Sequence, residues 1–310
     1  MIPVFFMILV LVFLIIEVSP GSPINNFIHP RMTAEHRALL TERFGLDGPA
    51  TERFFKWLGL TLQGDFGRSF QYRQPVLEVM LTMLGPTLML GLYSLVLTLV
   101  IGIPAGIISA TKQYSAMDTG LTIFSLVGIS MPTFFFALLL LRFLAVQNAV
   151  FPLFGISDPM YTPVNSFDWL THRLWHLTLP AIVLGLSGTA YFMRYTRSAM
   201  LEVIKSDYIR TARAKGLKEK IVIYRHAFRN AMIPLITLLG FQIPALFSGA
   251  AITESIFGIP GMGRLMVNAV GWRDYPIIQA GATIFAVLTM VSMLITDILY
   301  AAADPRIRYD

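Results

Sequence analysis

Long apolar segments recur along this chain, and they constrain its fold more than any other feature of the sequence. An α-helix needs about 20 mostly apolar residues to cross the roughly 30 Å hydrocarbon core of a bilayer. Six segments reach or approach that length, and they cover residues 2–18, 86–110, 119–146, 177–200, 231–253 and 277–303. The sequence therefore predicts an all-α polytopic membrane protein with six transmembrane helices.

The low charge content excludes most other classes of protein. Only 14% of the residues are charged, whereas a typical soluble domain has about 25%. The chain has no cysteine, which excludes disulfide scaffolds, thiolate metal sites and cysteine nucleophiles. The net charge is +6, but the basic residues are concentrated between the apolar segments. That distribution argues for contact with membrane lipid and against nucleic acid as a partner.

The positions of lysine and arginine predict the orientation, because cytoplasmic loops carry an excess of basic residues. Residues 194–229 include ten basic and three acidic residues, a net charge of +7, whereas residues 19–85 have a net charge of +1. With six spans, both termini lie on the same side of the membrane as the basic loop. We therefore predict that 111–118, 201–230 and 304–310 are cytoplasmic. The loops 19–85, 147–176 and 254–276 should face outward.

We interpret residues 1–310 as a single transmembrane domain with no separate soluble domain. Its largest polar part is the extracytoplasmic loop 19–85, which shows a helical pattern over 34–44. This loop is too short and too charged to predict an independent hydrophobic core.

Motifs for catalysis, nucleotide binding or metal binding are sparse. No Gly-x-x-x-x-Gly-Lys-Ser/Thr phosphate loop occurs, so we expect this chain to bind no nucleotide or other cofactor and to hydrolyse no ATP. His172 and His176 are four residues apart, a spacing that can hold a metal ion on one face of a helix. Because the His-Glu-x-x-His motif is absent, we interpret them as interfacial histidines. Asp297 lies within an apolar run, where we expect an interhelical hydrogen bond or an ion pair. The cluster Gly258-Ile-Pro-Gly261-Met-Gly263 is interpreted as a turn-rich outer loop.

The most informative segment is the basic stretch that precedes the fifth apolar segment. We predict a short helix that contains Ala212 and Ala214 and ends at Gly216 in the left-handed conformation, followed by a second short helix over 218–230. Small residues let a partner approach closely, and the basic residues around them suit a partner with acidic rims. The alternative is a positive anchor that binds anionic lipid headgroups.

This stretch resembles the cytoplasmic coupling loop of ABC-importer permeases. Two pieces are similar to the dipeptide/oligopeptide/nickel permease family, namely Asp207-Tyr-Ile-Arg-Thr-Ala-Arg-Ala-Lys-Gly216 and His226-Ala-Phe-Arg-Asn-Ala-Met-Ile-Pro234. Other matching motifs span nearly the whole chain in the same order, and they are Gly64-Asp-Phe-Gly-Arg-Ser69, Leu179-Pro-Ala-Ile-Val-Leu-Gly185, Arg194-Tyr-Thr-Arg-Ser198, Thr253-Glu-Ser-Ile-Phe-Gly-Ile-Pro-Gly261-Met-Gly263, Arg273-Asp-Tyr-Pro276 and Asp304-Pro-Arg-Ile-Arg308. The chain most resembles the first of the two permease subunits, which has a long first outward loop.

A few positions depart from the family patterns. The general Glu-Ala-Ala falls on Arg210-Thr-Ala212, and the general Leu-Pro falls on Phe228-Arg229, with a proline later at Pro234. The Pro-Gly-Asp-Pro that usually follows the first span is Pro20-Gly-Ser-Pro23. The usual basic pair before the first span is absent, so we expect the natural start to lie upstream.

The resemblance implies the fold of a type I ABC importer and a non-catalytic, channel-forming subunit in the cytoplasmic (inner) membrane of a bacterium or archaeon. It implies a second homologous permease, two cytoplasmic ATPases that bind ATP and Mg, and an extracytoplasmic solute-binding protein. The residues that it implies for coupling to the ATPases are Asp207, Tyr208, Arg210, Ala212, Ala214, Gly216, His226 and Asn230.

Two other functions stay open at this point. An ion-gradient-driven secondary transporter would usually show inverted repeats and several buried acids, and we recognise neither in the sequence. A membrane scaffold would recruit a partner through the basic loop alone. We propose four residues as candidates for the wall of a translocation path, and they are Met131, Phe135, Tyr191 and Gln242. The cargo, whether a peptide, nickel complex, sugar or opine, is not determined by this sequence.

Overall fold

The computed structural model describes residues 2–22, 24, 35, 39, 41–42 and 45–303. We label the helices in this part of the chain α1 Ile2–Val18, α2 Ala50–Leu62, α3 Val76–Thr111, α4 Ala116–Ser130, α5 Thr133–Leu140, α6 Ser166–Ile204, α7 Asp207–Ala214, α8 Glu219–Ile221, α9 Phe228–Ser248, α10 Ala251–Ile256, α11 Met262–Trp272 and α12 Tyr275–Ala303. Two π-helical segments, Leu141–Gln147 and Val222–Ala227, follow α5 and α8. Most of the predicted helix over 34–44 lies outside the described residues. The tail motif that starts at Asp304 lies entirely outside them.

The structure confirms the predicted all-α membrane fold. In the described part of the chain, four helical segments are long and apolar enough to cross a membrane, namely Val76–Thr111, Ser166–Ile204, Pro234–Ile256 and Tyr275–Ile298. The first predicted span is present as a shorter apolar helix, Pro3–Val18. Each of these five helices contains or closely overlaps a segment that the apolar pattern predicted.

The third predicted span, 119–146, is not one continuous helix. The segments Ala116–Ser130 and Thr133–Gln147 meet at an angle of 103°. The break lies at Met131 and Pro132, which have extended ψ angles of 123° and 128°. Proline has no N–H to continue a helix, and it disfavours the helical conformation of the preceding residue. The apolar pattern does not show this bend, because the run of hydrophobic residues continues through it.

Helices α3 and α6 form the central pair of the fold, and small residues let them approach closely. A Cβ atom on Gly106 of α3 would lie 2.5 Å from Cβ of Thr196 and 2.6 Å from the carbonyl oxygen of Met193, both on α6. A Cβ atom on Gly188 of α6 would lie 2.7 Å from Oγ1 of Thr98 on α3. Close packing at small residues is the usual way in which helices associate within a bilayer.

A buried apolar cluster fixes the basic loop to the ends of this central pair. Ile209 and Ala212 of α7 pack with Ile107 near the end of α3 and with Met200 near the end of α6. Val222, Ala227 and Ala231 complete the cluster from the segment that leads into α9. The basic loop is therefore part of the packed structure and not a free connection between two spans.

Candidate functional site

The basic loop contains a short helix that ends at Gly216, as predicted. Gly216 has a φ angle of +74°, which is the left-handed conformation. Its N–H donates to the carbonyl oxygen of Arg213 at 2.9 Å, and the N–H of Leu217 donates to that of Ala212 at 3.4 Å. This pair of bonds is a Schellman motif, in which a glycine just beyond the helix lets the chain reverse and satisfies the last carbonyl groups.

Ala212 and Ala214 lie on different sides of α7. Ala212 is only 8% exposed and packs in the apolar cluster with α3 and α6. The side chain of Ala212 therefore faces the core of this chain and is not exposed to a partner, and its role in coupling stays a prediction. Ala214 is exposed and is available for such a contact.

The exposed surface of the basic loop includes both charged and apolar side chains. Asp207 and Arg210 are exposed, and Tyr208 is about half exposed. Tyr224 and Leu217 add apolar surface beside them. A surface that combines exposed aromatic and aliphatic side chains with basic residues is typical of protein contacts.

An ion pair links α7 to the segment that follows it. Nε of Arg213 donates to one carboxylate oxygen of Glu219 at 3.1 Å, and Nη2 donates to the other at 2.7 Å. This hydrogen-bonded pair lowers the pKa of the Glu219 carboxyl and raises the pKa of the Arg213 guanidinium. The sequence contains both charges, but it gives no sign that they meet across the Gly216 turn.

The second half of the loop differs from the predicted separate helix over 218–230. The chain passes from α8 through the π-helical turn Val222–Ala227 directly into α9. His226 is half-buried in that turn, and the side-chain amide of Asn230 donates to its carbonyl oxygen at 2.7 Å. His226 and Asn230 therefore lie where the loop joins the fifth apolar segment.

A cavity of about 280 Å³ lies between α3, α6 and the α9–α10 segment. Two of the predicted path residues, Tyr191 of α6 and Gln242 of α9, line it. Ser94 and Thr98 of α3 add hydroxyl groups to the same wall. Met131 and Phe135 lie at the bend between α4 and α5, and neither residue lines this cavity.

Three carboxylates that the sequence analysis did not identify are buried, and they are Asp118, Glu254 and Asp274. Asp274 accepts hydrogen bonds from the hydroxyl of Ser69 and from the backbone N–H groups of Phe70 and Gln71. These bonds join the motif Gly64–Ser69 to the motif Arg273–Pro276, which explains why two distant motifs occur together. The sequence signal that could have identified such a carboxylate is an acidic residue beside a glycine-rich or proline-rich turn. Turns of this kind expose backbone N–H groups that can donate to a carboxylate.

The two histidines belong to an aromatic stack at the start of α6. The rings of Tyr161 and His172 are stacked with centroids 3.6 Å apart, and the His176 ring lies 4.7 Å from that of His172. Among the described residues, no group of three His, Cys, Asp or Glu side chains is arranged to hold a metal ion. Asp297 of α12 is half-buried.

Comparison with known proteins identifies the same family along the whole chain. Residues 102–309 match the family described as the inner membrane component of binding-protein-dependent transport systems. The oligopeptide transport system permease protein AppB of Bacillus subtilis (strain 168) is 44% identical over 309 residues, which cover 99% of this chain and 96% of that protein. The di/tripeptide permease protein DppB of Pseudomonas aeruginosa is 38% identical, with 100% and 96% coverage. The dipeptide permease protein DppB of Escherichia coli K12 is 37% identical, with 99% and 96% coverage.

A solved structure shows the same fold at a much lower sequence identity. A chain from an inward-facing structure of the MetNI methionine ABC transporter matches with a TM-score of 0.55 and 15% identity. The match covers 74% of the present chain and 97% of that chain. The helical arrangement described above is therefore the fold of that chain.

Proposed function

The chain belongs to the inner membrane components of binding-protein-dependent transport systems, and from this we propose that it is one of two permease subunits of an ATP-driven importer for peptides or similar small solutes. The relatives named above are permeases for oligopeptides, dipeptides or tripeptides. The peptide assignment for this chain rests on that similarity.

One observation carries the proposed mechanism, and it is the attachment of the basic loop to the walls of the cavity. Ile209 and Ala212 of the loop pack against Ile107 and Met200, which belong to α3 and α6. The same two helices supply Thr98 and Tyr191 to the cavity wall. A partner that moves the loop would therefore move two walls of the cavity as rigid bodies, which is how alternating access is produced.

Three kinds of partner belong to this proposal. Two cytoplasmic ATPases would bind ATP and Mg²⁺ and dock on the loop 201–230 of each permease. Tyr191 and Ala245 line the cavity and are exposed in the single chain, so a second homologous permease would complete the wall. A solute-binding protein would deliver cargo from the outer side. This subunit would contribute the translocation path and the loop that transmits the movement of the ATPases, and it would bind no cofactor itself.

The orientation is also part of the proposal. The +7 charge of residues 194–229 favours a cytoplasmic position for the loop, and both termini would then be cytoplasmic. The exposed apolar residues of the spans would contact membrane lipid, while basic residues near the ends of the spans would reach the headgroups.

Transport by the reconstituted complex tests this function. We expect liposomes that contain this subunit, its second permease and both ATPases to take up labelled peptide when the binding protein and ATP are supplied. The isolated subunit should hydrolyse no ATP. Uptake by the isolated subunit that is driven by an ion gradient would instead show a secondary transporter. A complex that binds its partners but moves no solute would show a scaffold.

A further inference from the structure

The outward end of the cavity is closed by residues that are almost completely buried. Glu254 is 0% exposed, and Thr87 and Met262 are each 2% exposed. Tyr191, deeper in the cavity, is 50% exposed. In the orientation proposed above, the cavity is therefore shut toward the side from which cargo arrives.

A network of four hydrogen bonds holds this closed end together. One carboxylate oxygen of Glu254, Oε1, accepts from the hydroxyl of Thr87 at 2.9 Å and from the N–H of Ala250 at 3.4 Å. The other oxygen, Oε2, accepts from the N–H of Arg264 at 2.8 Å. The Thr87 hydroxyl in turn accepts from the N–H of Met262 at 2.8 Å. The network joins α3, the break between α9 and α10, and the first turn of α11.

Neutral hydrogen-bond donors stabilise the buried carboxylate of Glu254. The Arg264 N–H belongs to the first turn of α11, where unpaired amide groups and the helix dipole favour a negative charge. The ion pairs identified within the described part of the chain do not include Glu254. The contact can therefore open without the separation of a buried pair of opposite charges, which would be far more costly.

Two glycines make room for the carboxylate. A Cβ atom on Gly261 would lie 2.4 Å from the carboxyl carbon of Glu254. A Cβ atom on Gly249 would lie 2.6 Å from Oε1, and Gly249 also has a φ angle of +74°. Gly261, from the cluster that the sequence shows as a turn-rich outer loop, and Gly249, just beyond α9, thus form the wall around one buried acid.

We propose that the contact between Thr87 and Glu254 is the latch of the outer gate. It holds the start of α11 and the α9–α10 break against α3, and it must open before a solute can enter the cavity from outside. Thr87 and Glu254 act as positioning residues, because they fix the position of the gate and do not touch the cargo. This inference rests on the proposed function, since the latch controls transport only if the cavity is part of the path.

The test measures access to the cavity from outside, using the assembled transporter in whole cells. A single cysteine replaces Ala245 in the cavity wall of this cysteine-free chain, and its labelling by a membrane-impermeant maleimide is timed. We expect Thr87→Val, which keeps the shape but removes the hydroxyl, to speed labelling by at least about tenfold, as the loss of a hydrogen bond to a charged group would. The matched Thr87→Ser keeps the hydroxyl and should label within about twofold of the parent.

Two controls keep the test decisive. A cysteine at Met160, which is 92% exposed in the outer loop, should label at the same rate in every background and reports the amount of folded protein. Glu254→Gln replaces one of the two acceptor oxygens by an NH2 group that cannot accept, so it loses the contact with Thr87 or with Arg264 and should also speed labelling. It decides the matter if Thr87→Val does not reach the membrane. Two outcomes would overturn the latch. One is that Ala245→Cys is labelled at the same rate in the parent and in Thr87→Val. The other is that it is labelled equally fast in Thr87→Val and in Thr87→Ser. ATP-dependent uptake by the parent is measured in parallel, so that a failure of the proposed function is recognised separately.

Discussion

The guanidinium of Arg197 binds both carboxylate oxygens of Asp118, with Nε and Nη2 at 2.9 Å and 3.0 Å. Asp118 is 4% exposed, and it also accepts from the Ser109 hydroxyl and from the Tyr114 N–H. One buried carboxylate thereby joins the end of α3, the turn after it, the start of α4 and the C-terminal half of α6. In the proposed orientation this network lies beside the coupling loop.

Loss of the Arg197 side chain should strongly destabilise the subunit. We expect Arg197→Gln to lower the free energy of unfolding by about 3 kcal/mol, because it leaves a buried carboxylate without its counter-charge. Thermal or denaturant unfolding of the purified complex in detergent measures the change. Arg194→Gln removes an exposed charge three residues earlier and is the matched control. A similar loss of stability in both variants would contradict the assigned role of the pair.

The effect of a substitution at Gly216 should depend on the backbone conformation and not on the space available for a side chain. A Cβ atom there meets nothing within 4 Å, but the φ angle of +74° is unfavourable for most residues by roughly 1 kcal/mol or more. We therefore expect Gly216→Val to reduce uptake and ATPase co-purification while the subunit stays in the membrane. Gly216→Asn, which tolerates this conformation better, should retain most of both. Full function of Gly216→Val would show that the turn is not needed for coupling.

Tryptophan at the two alanines of α7 should have opposite effects. Ala212→Trp places a large side chain in a packed cluster, so we expect it to destabilise the subunit and lower its amount in the membrane. Ala214→Trp changes an exposed position, so the subunit should be as stable as the parent but lose its ATPases if they dock on this face. Membrane abundance and co-purification are measured for both. Normal docking with Ala214→Trp would place the ATPase contact elsewhere on the loop.

The pair Arg213–Glu219 should contribute modestly, and its contribution should depend on pH in one direction. Exposed ion pairs are worth at most about 1 kcal/mol, so Glu219→Gln should weaken ATPase co-purification only a few-fold. Because Arg213 lowers the pKa of Glu219, the stabilisation is present above the ordinary glutamate pKa and is lost as the pH falls through the lowered value. The contribution of this pair to docking should therefore not change with pH between about pH 6 and 8. Recovery in the double variant Arg213→Glu/Glu219→Arg would confirm the pair, and no recovery would argue against it.

Labelling of single cysteines tests the orientation of the chain. Thr51 and Lys218 are both exposed, and we predict that they lie on opposite sides of the membrane. An impermeant maleimide added to whole cells should label Thr51→Cys at once and Lys218→Cys only after the membrane is permeabilised. The reverse pattern would overturn the predicted topology.

The sequence by itself determined the class of fold and the family. Apolar runs near the thickness of a bilayer, few charges and a strongly basic loop are sufficient for a polytopic helical protein, because the hydrophobic requirement of a span is local in sequence. The turn at Gly216 was also predictable, since a glycine just beyond a short helix has few other uses. The family followed from motifs that run through nearly the whole chain in one order.

The tertiary structure decided which side chains meet. The inward position of Ala212 and the partners of Asp118, Glu254 and Asp274 depend on contacts between residues that are distant in the sequence or on opposite sides of one helix. Glu254 could be read as an outer-loop residue until Thr87, 167 positions earlier, was found to donate to it. A buried carboxylate is stable only where several donors converge, and that convergence is produced by the packing of helices rather than by any local pattern.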